Sequence, residues 1–224
     1  MSEFTIQILH THFDSMLAEH VMAHYFSQVP LNCQAVINRY VRWQDRQSVL
    51  LGKMLLLKAL RQYMGQAASL ETISRTAYGR PFIADCGIDF NISHSGGHVV
   101  CAITESGRVG IDIETIRSIE LSDFKTFLTS KEWNAICNAE HPGDMFFSCW
   151  TKKESVMKAD GKGLSIPLHQ IVIEENTASV DTSLWFLYEI IIAPHVKCHL
   201  ASDTACPEIV LKKFDCYQLL EVLK

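Results

Sequence analysis

From Val109 to Glu114 the chain reads Val-Gly-Ile-Asp-Ile-Glu, with an apolar side chain at every second position and Asp112 and Glu114 at two of the others. That period of two belongs to a β-strand, so one face of the strand must enter a core while both carboxylates leave on the other face as neighbours. Two adjacent carboxylates repel each other. The arrangement is tolerable when a hard divalent cation sits between them, and Mg2+ in particular combines a few carboxylates with the phosphate oxygens of a substrate. Downstream, Trp150-Thr151-Lys152-Lys153-Glu154-Ser155-Val156-Met157-Lys158 reads as a helix in which Trp150, Glu154 and Lys158 recur every four residues and share a stripe. This helix offers a third carboxylate, and its lysines are cations for phosphate.

The rest of the chain sets limits on what such a site can serve. At 224 residues, 48% hydrophobic and 20% charged, it has ordinary globular values and is long enough for one large or two small folded units. A net charge of −5 argues against a general nucleic-acid or membrane-surface binder, so any anion site must be local. Met1-Ser2-Glu3-Phe4-Thr5 carries no basic and apolar leader, and the apolar stretch 184–194 is short and contains Glu189, so neither a signal peptide nor a membrane span is expected. The eight cysteines include no Cys-x-x-Cys pair and read as reduced thiols of a cytoplasmic protein.

Along the chain, the pattern predicts an opening strand over 4–9, a helix over about 14–26, and a second helical region after Pro30 with Asn32 as its N-cap. Leucines and methionines on several sides of 49–57 predict a deeply buried helix ending near Gly65. Strands are expected over 87–92 and 99–104, joined by a loop over 93–98 whose hydroxyls, imidazoles and glycines allow a ligand's oxygens to come close. Thr129-Ser130-Lys131-Glu132 has the form of a capping box, and a long helix should run from Asp144 as N-cap to Asp160, ended by Gly161 and Gly163. Four further strands are expected from Ile171 onward. The order predicts an α+β fold with largely antiparallel sheets, since regular alternation and a Gly-x-Gly-x-x-Gly turn are both missing. His98-Val99-Val100-Cys101 faintly echoes His195-Val196-Lys197-Cys198.

Taken together, Gly79-Arg80-Pro81, Phe90-Asn91-Ile92-Ser93-His94-Ser95-Gly96, Val109-Gly110-Ile111-Asp112-Ile113-Glu114 and Trp150-x-x-Lys153-Glu154-x-x-x-Lys158-x-x-Gly161-x-Gly163-Leu164 resemble, in order and spacing, the 4′-phosphopantetheinyl transferases. Within that family the surfactin-synthetase-activating type is the nearest match. The resemblance implies a pseudo-dimer of two similar α/β halves, residues 1–105 contacting the coenzyme A nucleotide and residues 106–224 carrying the metal site and the carrier-protein contacts. It implies transfer of the phosphopantetheine arm from coenzyme A to a serine of an apo acyl or peptidyl carrier protein, releasing adenosine 3′,5′-bisphosphate. Asp112, Glu114 and Glu154 would hold Mg2+, and Lys153 and Lys158 would add positive charge near the pyrophosphate. The base would be Glu154, directly or through a metal-bound water, with Glu114 as the other candidate. Arg80, together with Arg42 or Arg46, would hold the adenosine 3′-phosphate, and Ser93 and His94 would contact coenzyme A phosphates. Ile119 to Phe127 match the segment where the family contacts its carrier, with Leu121, Phe124 and Phe127 as candidates. The expected enzyme is a cytoplasmic monomer without nucleic-acid or membrane partners. The rival readings are a Mg2+-dependent coenzyme A or nucleotide pyrophosphohydrolase and a non-catalytic coenzyme A binding protein.

Overall fold

The computed structural model describes residues 4–219, so the first three residues of the N-terminal stretch lie outside the described residues. The run of leucines forms α3 (Trp43–Met64), buried on most sides and stopped by Gly65, whose φ of 73° suits a residue without a side chain. Leu50, Leu51, Met54 and Leu55 of α3 pack on Leu9 of β1 (Thr5–His12), Phe90 of β4 (Asp89–Ser95) and Val99, Cys101 and Ile103 of β5 (His98–Thr104). With β11 (Glu208–Asp215) these strands form a sheet ordered β11-β1-β5-β4, in which β1 and β11 run parallel and the other pairs antiparallel. The last strand of the described chain therefore returns to the first sheet.

The second sheet is ordered β6-β10-β9-β8-β7 and is antiparallel, built from β6 (Val109–Thr115), β7 (Val172–Glu174), β8 (Thr177–Val180), β9 (Ser183–Glu189) and β10 (Val196–Ser202). α5 (Pro142–Asp160) covers it as α3 covers the first, with Val156 and Ala159 packed near Leu187 and Ala201. The remaining faces meet each other: Ile6, Ile8, Val100 and Ala102 pack with Val109, Ile111, Ile113 and Leu200. The fold is thus α+β with largely antiparallel sheets, each half laying a long helix on its own sheet. β5 holds the whole first copy of the His-Val-x-Cys echo and β10 the second from Val196 on, His195 standing before it at positive φ; each strand lies next to the edge strand that faces the other half, with Cys101 and Cys198 buried. Two short helices, α1 (Glu19–Ser27) and α2 (Leu31–Ile37), the hairpin β2 (Ile73–Arg75) and β3 (Pro81–Ile83), and α4 (Ser130–Cys137) complete the framework.

Edge strands β4 and β6 are joined by side chains rather than by a backbone ladder. Alternate residues of β4 accept alternate amides of β6: Asp89 Oδ2 from Val109 N at 2.8 Å, Asn91 Oδ1 from Ile111 N at 3.0 Å, Ser93 Oγ from Ile113 N at 3.4 Å and Ser95 Oγ from Thr115 N at 3.2 Å. An edge row of N–H groups is costly to bury unpaired, and this zipper satisfies it without merging the sheets.

Several local expectations are corrected. α1 starts at Glu19 because the preceding segment is tied elsewhere, Phe13 N to the Gly97 carbonyl and Leu17 N to the Gln47 amide oxygen. Asn32 is not an N-cap: α2 begins at Leu31 directly behind Pro30, and the Asn32 side chain accepts from Cys33 N. Asp144 is not one either, because Pro142 starts α5 with His141 before it, as proline's fixed φ favours at a first helical position. Ser93, His94 and Ser95 lie in β4 and not in a loop; the turn is Gly96-Gly97, both at positive φ as a two-residue hairpin requires. The capping box of α4 and the Gly161 stop of α5 form as expected.

Candidate active site

Where the zipper reaches Ser93 and Ser95, its hydroxyls do two jobs each. Having accepted a β6 amide, Ser93 Oγ donates to Asp112 Oδ1 at 2.9 Å and Ser95 Oγ donates to Glu114 Oε2 at 2.7 Å. The two acids leave β6 on the face toward α5, as the strand period predicts. Gly110 lets the helix come close, since any side chain there would run into the Ser155 carbonyl and the Ala159 amide. Lys158 is thereby brought onto β6: its Nζ reaches Asp112 Oδ1 at 2.6 Å, Ser93 Oγ at 2.8 Å and the Ile111 carbonyl at 3.3 Å. Glu154, one turn earlier, joins them.

Each acid keeps one uncommitted oxygen. Asp112 Oδ2 is buried without a hydrogen-bond partner, and both contacts of Glu114 fall on Oε2, the second being Arg117 Nη1 at 3.0 Å. Burial raises the pKa of Asp112, with Lys158 opposing. Glu154 is pushed up to about 7, first by burial and then by the Asp112 and Glu114 charges, again against Lys158. A carboxyl raised toward neutrality in this way can exchange a proton there, as a general base must. Among the described residues no group of three or more His, Cys, Asp or Glu side chains is drawn together as a formed metal cage.

Beside these acids opens a cleft of about 610 Å³, lined among others by Arg42, His94, Ser95, Glu114 and Arg117. That size falls in the range of small-molecule sites. His94 also lines the cleft, its pKa lowered by the protein packed round the ring and by the Lys158 cation. Arg42 precedes the first turn of α3 and faces the cleft, whereas Arg46, one turn on, lines a separate groove between α1 and α3 with Met22 and Phe26.

Two more expected site residues lie away from the cleft. Lys153 is fully buried, paired with Glu132 at 2.9 Å and donating to the carbonyls of Leu168 and Ile171. It points from the opposite side of α5 and ties that helix to α4 and the following turn. Arg80 is 7% exposed, and all five of its N–H groups are engaged. The guanidinium grips both oxygens of Asp89 at 2.7 Å and reaches the carbonyls of Pro81, Val109 and Lys158. It fastens the start of the zipper to the end of α5 and has no donor left for a phosphate. Conversely, Ser95 and Arg117 touch Glu114 but were not among the predicted site residues; Ser95 had a signal, lying two residues from Ser93 in an alternating polar pattern.

Comparison with known proteins gives the family. The chain matches the family described as 4′-phosphopantetheinyl transferase superfamily over residues 108–207 and the N-terminal 4′-phosphopantetheinyl transferase family over residues 17–106. It is 35% identical to the 4′-phosphopantetheinyl transferase gsp of Aneurinibacillus migulanus, across 76% of this chain and 72% of that one. It is 32% identical to the 4′-phosphopantetheinyl transferase Sfp of Bacillus subtilis, across 73% of this chain and 74% of its relative. With adjoining matches in both halves and relatives of this identity over more than two thirds of their lengths, the chain belongs to the 4′-phosphopantetheinyl transferase superfamily.

Proposed function

We propose that the seam between β4, β6 and α5 is where this family's reaction takes place in the present chain. The enzyme transfers the 4′-phosphopantetheine arm of coenzyme A to a serine of an apo acyl or peptidyl carrier protein, giving the holo carrier and adenosine 3′,5′-bisphosphate. The observation that carries the assignment is the convergence of Glu154, Asp112, Glu114 and Lys158 on the zipper at the edge of the cleft. The relatives reported above are named as transferases, and nothing in them favours a pyrophosphohydrolase or a non-catalytic binder.

The donor chemistry suits Mg2+, for a buried, unpartnered Asp112 Oδ2, a free Glu114 Oε1 and the Glu154 carboxyl, whose pKa both acids raise, are hard oxygen donors, although among the described residues no three of them are drawn into a formed cage. Bound by these three residues, the cation would neutralise charge on the pyrophosphate. Glu154 takes the proton of the carrier serine hydroxyl while that oxygen bonds to the pantetheine-side phosphorus. The bond from that phosphorus to the bridging oxygen breaks, and its electron pair leaves with adenosine 3′,5′-bisphosphate. Lys158 exchanges a contact with Ser93 or Asp112 for a phosphate oxygen and stabilises the charge that develops. Arg42 and His94, on the cleft wall, hold the nucleotide phosphates in place of Arg80 and Arg46. Residues 1–105 act as the coenzyme A half and residues 106–224 as the half that meets the carrier. There the turn Leu121–Phe127 presents Phe127, 42% exposed and 5.9 Å from the Trp150 ring, while Phe124 packs inward on Phe146. The enzyme works as a cytoplasmic monomer, and its net charge of −5 supports the part of this reading that leaves out nucleic-acid and membrane-surface partners; no helix of the described residues is long and apolar enough to cross a membrane.

Intact-mass analysis of apo carrier proteins incubated with the enzyme, coenzyme A and Mg2+ tests this. A carrier should gain the mass of one phosphopantetheine arm, and the gain should vanish with a chelator. Free product formed without any carrier would point to the hydrolase instead.

A further inference from the structure

We propose that Arg117 is a displaceable counterion of this site: it balances Glu114 before ligands arrive and passes to a phosphate oxygen of coenzyme A when a divalent cation takes Glu114. The inference rests on the transferase reading of the cleft. Arg117 and Lys158 stand as a pair, each neutralising one of the two β6 acids, yet they are held very differently. Lys158 is 27% exposed and has three polar partners, whereas Arg117 is 57% exposed and places one nitrogen on Glu114 and, weakly at 3.4 Å, on the Thr115 carbonyl. Exposed pairs three residues apart on a chain are among the weakest ion pairs in proteins, so this one exchanges readily.

The contrast with Arg80 is instructive, for Arg80 has all its donors committed while Arg117 has most of its fork unused and lines the cleft. Its guanidinium carbon lies 5.4 Å over the Phe147 ring, and this contact gives the side chain a fixed pivot when the Glu114 contact is released. Glu114 does not lose its aim on release, because Ser95 Oγ still holds Oε2 at 2.7 Å and leaves Oε1 free. Arg117, on Oε2, therefore opposes by its charge a cation that arrives at Oε1 and, once displaced, supplies a planar two-pronged donor to a phosphate.

Two measurements on the full chain separate this from a merely structural role. Binding of Mn2+, followed by electron paramagnetic resonance in the absence of coenzyme A, should tighten by about 3–10-fold in Arg117→Gln, since one nearby positive charge is removed, and should stay near wild type in Arg117→Lys. In the same Arg117→Gln variant the KM for coenzyme A should rise by about tenfold, the loss of one charged hydrogen bond. Unchanged or weaker Mn2+ binding, or an unchanged KM, would overturn the proposal. A wild-type protein that modifies no carrier would instead sink the transferase reading, while the Mn2+ comparison would still decide whether Arg117 competes for Glu114.

Discussion

Replacing Arg80 with alanine separates two meanings of the same motif. If the Gly-Arg-Pro arginine served the adenosine 3′-phosphate, Arg80→Ala would weaken coenzyme A binding and leave the fold alone. The structure predicts the reverse. Arg80 and Asp89 are a buried pair joined by two 2.7 Å bonds, and truncation would leave Asp89 with only the distant Arg108 Nε, 3.8 Å away, as a cationic neighbour. Removing one partner of a buried ion pair costs about 3–5 kcal/mol. At about 2–4 °C per kcal/mol for a chain of this size, the melting temperature should fall by about 6–20 °C. The carbonyls of Val109 and Lys158 lose a donor as well, so the upper part of that range is favoured. Arg80→Lys should recover only part of the loss, because an ammonium cannot grip both Asp89 oxygens and three carbonyls at once. Thermal unfolding by calorimetry, paired with the KM for coenzyme A measured well below the transition, reads both quantities. An Arg80→Ala protein that melts within 2 °C of wild type while its KM rises tenfold would refute the argument.

Glu154→Gln keeps the shape of the side chain and removes the base, so transfer should drop by about 10²–10⁴-fold with the melting temperature little changed; a loss under fivefold would remove Glu154 from the proton transfer. Lys153→Met should destabilise by about 3 kcal/mol, because Glu132 is left without its cation, while the KM for coenzyme A stays put; a raised KM at full stability would return Lys153 to the phosphate site. Burial holds His199 neutral, its pKa lowered to about 3 with Lys152 and Lys197 adding to the effect, and Thr151 lies 2.7 Å from its Nδ1. Below the usual value of 6.5 the unfolded chain takes up a proton that the native His199 refuses, so stability present above pH 6.5 is lost on acidification, by about 2 kcal/mol at pH 5. The stability gap between wild type and His199→Gln in urea unfolding should shift by that amount between pH 7.5 and 5, and a gap constant across the range would count against a buried neutral imidazole. His10 and His98, each lowered to about 4, act in the same direction.

How much of this was legible in the sequence depends on whether the deciding distance is short or long along the chain. The strand period of Val109 to Glu114 and the four-residue stripe of Trp150, Glu154 and Lys158 are local, and both held. The same stripe already carried the answer for Lys153: five residues before Lys158 at 100° per residue places it about 140° away round the helix, on a side that cannot share the acids' face. Arg42 and Arg46 are separated by a local fact too, since Arg42 precedes the first helical residue and so leaves the face on which Arg46 lies. Asp89-Phe90-Asn91-Ile92-Ser93 alternates polar and apolar residues as a strand does, although Ser93-His94-Ser95 and the Gly96-Gly97 that follows also suit a loop. What no local pattern contains is the destination of that polar face. The four acceptors of β4 meet four alternate amides of β6, each 20 residues later in the chain, and only the packing of one sheet on the other brings those rows together. Both the structural role of Arg80 and the aim of the two acids descend from that long-range fit. Arg80 locks the first rung at Asp89, and the last two rungs, Ser93 and Ser95, orient Asp112 and Glu114. Arg80 itself touches none of the three acids, so a mutation at the first rung should cost stability and leave the aim of Asp112 and Glu114 to Ser93 and Ser95.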